Sequence, residues 1–134
     1  MILTLRCAAL ALALLASAAA LGFAAENGFS IPAGRGKALD GDTIALAGGT
    51  AYRADGSDPC PKGCRVRLRG IDAPEKGEPG AEAARAELQR RLDAGTAEVE
   101  AKARDKYERI VAIVRIGGVD IGAEMKRAGF GKPR

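Results

Sequence analysis

The chain has 134 residues, 28% of them charged, with a net charge of +4 and no histidine. That length holds one small domain with little core to spare. Without imidazole, Ser-His and Cys-His nucleophilic pairs and histidine-ligated metals are excluded, which leaves carboxylates, Lys, Tyr and Arg for any chemistry. The basic balance suits an anionic partner, but by itself it is common among proteins that bind none.

Residues 1–25 differ from the rest: Arg6 is followed by a run of mostly Ala and Leu from Cys7 to Ala25, and Glu26 and Asn27 then open polar sequence. This pattern predicts a secretory signal, cut after Ala18, after Ala19 or nearer Ala24, with a mature domain over 26–134 of net charge +3 once Arg6 has left. The expected location is periplasmic or secreted, with no stable membrane association after cleavage. An uncleaved anchor is the competing reading, because the apolar run approaches the roughly 20 residues that span a bilayer.

Removal of Cys7 would leave Cys60 and Cys64 as an even pair in an oxidising compartment, so a disulfide is expected in Cys60-Pro61-Lys62-Gly63-Cys64. So short a ring stabilises by about 2 kcal/mol. A zinc site is the rival reading, but two cysteines in a chain without histidine cannot supply four nitrogen or sulfur ligands without a partner chain.

Along the mature part, Gly34 to Leu46 reads as strand, turn at Asp40-Gly41, and strand. Gly48 to Gly63 is a loop or hairpin tip. Arg65-Val66-Arg67-Leu68-Arg69 alternates basic with apolar residues, one face buried and the other cationic. Pro79-Gly80 opens an amphipathic helix in which Ala81, Ala84, Leu88 and Leu92 recur at helical spacing until Gly95. Val99 alternates with acidic neighbours, a polar turn spans Lys102 to Lys106, and Ile110 to Val114 is a buried strand ended by Gly117-Gly118. Ile121, Met125 and Ala128 form the apolar stripe of a short closing helix. Five strands with one helix between the third and fourth predict a small Greek-key barrel with helices, of the OB type.

Two acidic motifs carry the chemistry: Asp40-Gly41-Asp42-Thr43 at a hairpin, and Asp72-Ala73-Pro74-Glu75 at the end of the basic strand. Each alone is a common turn sequence. If Asp42, Asp72 and Glu75 approach one another, their repulsion calls for a cation among them, and oxygen-only ligands suit calcium or magnesium. Arg65, Arg67 and Arg69 lead into that cluster, and a metal beside guanidinium groups is what hydrolysis of a phosphodiester needs.

These motifs, followed by Asp105-Lys106-Tyr107-Glu108-Arg109, resemble the staphylococcal nuclease family from about Lys37 to Gly129. The resemblance implies an OB-type five-stranded barrel with helices, and a calcium-dependent endonuclease acting on DNA or RNA. Magnesium and manganese are compatible with the same ligands. Residue by residue, it implies Asp42, Asp72 and the Ala73 carbonyl as metal ligands and Glu75 as the group that positions or deprotonates the attacking water. It implies Arg67 and Arg109 as the phosphate grip, and Lys106 and Tyr107 as nucleotide contacts. Three departures stand out. Glu108 sits where the family commonly has Gly, the stretch from Gly48 to Gly63 is longer, and after Gly129 only five residues remain where a third helix is expected. A monomeric nuclease is the first expectation; a catalytically silent OB-type module that binds nucleic acid or another partner is the alternative.

Overall fold

Phe29 and Ile31 alternate with Gly28 and Ser30, and this period of two forms β1 (Gly28–Ile31), a strand too short and too polar to stand out from sequence. The structure, a computed structural model, describes residues 27–132; the expected signal segment and Cys7 lie outside the described residues. After β1 come β2 (Lys37–Ala38), β3 (Thr43–Leu46) and β4 (Cys64–Leu68), then helix α1 (Ala81–Ala94). Strands β5 (Ala97–Arg104), β6 (Ile110–Ile116) and β7 (Val119–Asp120) follow, and helix α2 (Ile121–Arg127) comes last.

The sheet order is β1-β5-β6-β4-β3-β2, with β7 paired to β6. All neighbours are antiparallel except β4 and β6, whose register pairs Val66 with Ile110 and Arg67 with Val111. The result is a curled mixed half-barrel with two helices, as the OB-type expectation required. Among the described residues seven strands form rather than five, because β1 and the two-residue β7 carry too little pattern to be seen. Strand β5 also runs through Lys102 to Arg104, with its register shifting between Ala101 and Ala103, so the turn falls at Asp105 to Arg109 instead of Lys102 to Lys106.

The core fills the space between the inner sheet face and the helices. Ile44, Val66, Leu68, Val99 and Val114 meet Leu88, Leu92, Ile121 and Met125, all nearly or fully buried. Each of the large side chains contributes about 1.5–3 kcal/mol by leaving water. On α2 only Ile121 and Met125 of the expected stripe are buried; Ala128 is exposed, one residue past the last turn. Asp120 starts that helix by accepting a hydrogen bond from the Ala123 N–H at 3.1 Å.

The loop from Ala47 to Gly63 is a clipped hairpin tip. Cys60 and Cys64 are bonded, with their Cα atoms 5.6 Å apart. Asp58 accepts from the backbone of Gly49 and of Cys60 at 2.7 and 2.8 Å, and Tyr52 exchanges two backbone hydrogen bonds with Ser30 of β1. No helix of the described residues is long and apolar enough to cross a membrane.

Candidate functional site

The Asp40–Asp42 turn, the end of β4 and the loop from Asp72 to Glu78 come together beneath the start of α1. Gly41 makes this possible: a Cβ there would lie 2.6 Å from the Cβ of Ala84 and 2.8 Å from that of Ala73. Its glycine is therefore needed for close approach of helix and loop, not for the turn that Asp-Gly suggests. Asp40 shapes the turn by accepting the Asp42 N–H at 3.0 Å.

This packing buries the Asp42 side chain. One carboxylate oxygen accepts the Thr43 hydroxyl at 3.1 Å and the other accepts the Ala73 N–H at 2.8 Å. Burial, reinforced by the Asp40 carboxyl, pushes its pKa from 3.8 up to about 6, against the opposing pull of the Ala73 N–H and of Arg67. A buried carboxyl held this way is short of positive charge.

Arg67 supplies the charge that is there. Its Nη2 lies 3.4 Å from Asp42 and 3.6 Å from Asp72, while its Nη1 donates to the carbonyls of Leu68 and Ile71 at 2.6 and 2.7 Å. The guanidinium is thus fixed at one corner of the two carboxylates. Asp72 is 74% exposed and its backbone carbonyl accepts the Lys132 N–H at 2.7 Å, which ties the closing segment to the site.

The structure therefore brings Asp42, Asp72, Ala73 and Arg67 together. Glu75 is exposed; its N–H donates to Glu78 at 2.8 Å. Among the described residues no three His, Cys, Asp or Glu side chains stand within metal-holding reach of one another, so Asp42, Asp72 and Glu75 do not form a ready-made three-carboxylate cluster. In type the donors still fit a hard cation: two carboxylates with oxygen ligands only, one of them buried and under-compensated.

Arg109 stands at the head of β6. The parallel register sets Val66 opposite Ile110, and Arg65 donates to the Tyr107 carbonyl at 3.3 Å, which ties the turn before β6 to β4. That turn is organised by Asp105, a role the sequence did not disclose. The Asp105 carboxylate accepts the N–H groups of Tyr107 and Arg109 at 2.9 and 3.0 Å, and the Arg109 Nε at 2.7 Å. Burial would raise its pKa, but these hydrogen bonds and the charge of Arg109 win and lower it. An Asp two residues before the first accepted N–H is an Asx-turn signal and could have found it.

Glu108 does not pair with Arg109, whose partner is Asp105. Its backbone is left-handed at φ 65°, and its carbonyl accepts from Arg104 at 3.2 Å. The left-handed conformation explains why glycine suits this position. Tyr107 is 57% exposed and is no core anchor. Its ring has the Lys106 Nζ at 5.1 Å and the Arg109 guanidinium at 5.4 Å from its centroid.

A family model described as staphylococcal nuclease homologue matches residues 65–132. The chain belongs to that family. Among curated proteins none matches it. The matched span of the staphylococcal nuclease homologue domain covers β4 through α2 and stops short of Asp42, which is joined to it by the Arg67 and Ala73 contacts. Membership carries with it either a nuclease or a nucleic-acid-binding module on this fold.

Proposed function

We propose that this domain is a metal-assisted phosphodiesterase that cleaves DNA, RNA or both. The observation that supports it best is the Asp42–Arg67–Asp72 arrangement, in which two carboxylates and a fixed guanidinium meet beside the exposed face of the sheet. A pair of acids suited to a hard cation, next to a fork-shaped phosphate donor, matches the charge that grows on a phosphodiester under attack.

In this reading Asp42, Asp72 and the Ala73 carbonyl would hold calcium, or else magnesium or manganese, and the ion when bound would supply Lewis acidity. Glu75, on the exposed loop beyond Asp72, accepts the proton of the attacking water as its oxygen bonds to phosphorus. The bond from phosphorus to the leaving oxygen breaks in the same displacement, and that oxygen keeps the electron pair and takes a proton from solvent. Arg67 and Arg109 hold the phosphate from the sheet side, and Asp105 keeps Arg109 in place until substrate engages it. Lys106 and Tyr107 take the neighbouring nucleotide, the ring by stacking. Export to the periplasm or beyond, as a monomer, belongs to the same proposal.

The test is the rate of hydrolysis of a fluorophore-quenched single-stranded oligonucleotide with millimolar calcium. Arg67→Lys keeps charge but loses the planar fork, and it is expected to lower kcat by at least about tenfold, the value of one charge-assisted hydrogen bond. An unchanged kcat in Arg67→Lys would remove the proposed phosphate grip.

A further inference from the structure

The cationic face of the sheet extends past the site. Lys37 of β2 lies opposite Ala45 of β3, and Ala45 lies opposite Arg65 of β4. The parallel register of β4 and β6 begins at Val66 opposite Ile110, the residue that follows Arg109. Directly opposed residues share a face, so Lys37, Ala45 and Arg65 form one row across three strands, each strand about 4.8 Å from the next.

Neutralisation along this row is uneven. Among the described residues Arg109 pairs with Asp105, Arg67 with Asp42 and Asp72, and Arg115 with Glu100. The helix arginines Arg85, Arg90 and Arg91 pair with Glu82 and Glu87. Lys37 and Arg65 are exposed and have no carboxylate partner among the described residues. Arg65 is nevertheless oriented, because its Nη2 donates to the Tyr107 carbonyl at 3.3 Å in the turn that carries Arg109. A neutral acceptor fixes the guanidinium without consuming its charge. The row's one small residue, Ala45, leaves the sheet surface low between the two free cations.

Resting on the phosphodiesterase reading above, we propose that Arg65 and Lys37 form a second phosphate subsite for single-stranded nucleic acid, beside the phosphate held at Arg67 and Arg109. Arg65 and Arg67 stand two residues apart on one strand face, about 6.6 Å, which is the order of one extended nucleotide. The substrate strand then crosses toward β2 over Ala45, and chain length is recognised by the number of phosphates neutralised.

The test uses the full chain carrying Glu75→Ser, with binding of labelled decathymidylate followed by fluorescence anisotropy and dithymidylate measured as competitor. Arg65→Gln is expected to weaken the decamer about tenfold and to flatten the slope of log K against log salt by about 0.7, leaving the dimer unchanged. Lys37→Gln should act in the same direction, and Arg65→Lys should restore most of the decamer affinity. Equal weakening of dimer and decamer would overturn the subsite, since Arg65 would then act by positioning the Tyr107 turn; no effect on either would overturn it too. Length-dependent loss in a protein whose Glu75 form never cleaves would uphold the subsite and refute the hydrolytic reading alone.

Discussion

Replacing Asp42 by Asn tests whether the site is built at the expense of stability. The carboxyl titrates near 6 in the folded chain against an ordinary 3.8. A group whose folded pKa is raised contributes its stability below the unfolded value and loses it as pH rises through the folded one. The cost therefore appears between about pH 4 and pH 6, and with both states ionised it amounts to about 3 kcal/mol. Asn can accept the Ala73 N–H and donate toward Asp40, so the substitution removes the charge and keeps the shape. In chelator at pH 8, Asp42→Asn should be the more stable protein by about 1–3 kcal/mol, or roughly 5–20 °C in Tm for a domain of this size. At pH 4 the two should melt together. Millimolar calcium should raise the Tm of the parent and leave Asp42→Asn where it was. Thermal melts by circular dichroism across pH 4–8 read all of this, and an Asn variant no more stable than its parent at pH 8 would refute it.

Glu108→Gly relieves the left-handed backbone at φ 65° and should stabilise by about 1 kcal/mol, visible as a rise in Tm. Asp105→Asn removes the charge that holds Arg109 Nε; it should lower Tm at pH 7, with the difference closing as acid protonates the carboxyl below its depressed pKa. Reduction of the Cys60–Cys64 bond should cost about 2 kcal/mol and lower Tm without loss of the fold, measured with and without dithiothreitol.

Local periodicity made much of this fold legible. Leu88 and Leu92 on α1 and Val66 and Leu68 on β4 fall where their spacing put them, and the Pro-Gly and Gly punctuation bounds α1 to within a residue. What could not be read depends on contacts between distant segments. The Gly41 approach to Ala73 and Ala84, and the burial that pushes Asp42 upward, exist only after α1 docks on the turn. The strand β1 is recruited by its pairing with β5, which supplies the partners Val99 and Ala97 that four residues cannot specify alone. Asp42, Asp72 and Arg67 were recognisable as a chemical set from their motifs, but nothing local told that Arg67 would stand between the two acids.

The most direct measurement of the central claim is release of acid-soluble nucleotide from denatured DNA and from RNA, with millimolar calcium, with chelator, and with Glu75→Ser. The account predicts cleavage in calcium that is lost in chelator, returns when calcium is added back, and is abolished in Glu75→Ser. Cleavage that persists in chelator or in Glu75→Ser, or no cleavage by a protein shown to be folded, would contradict it.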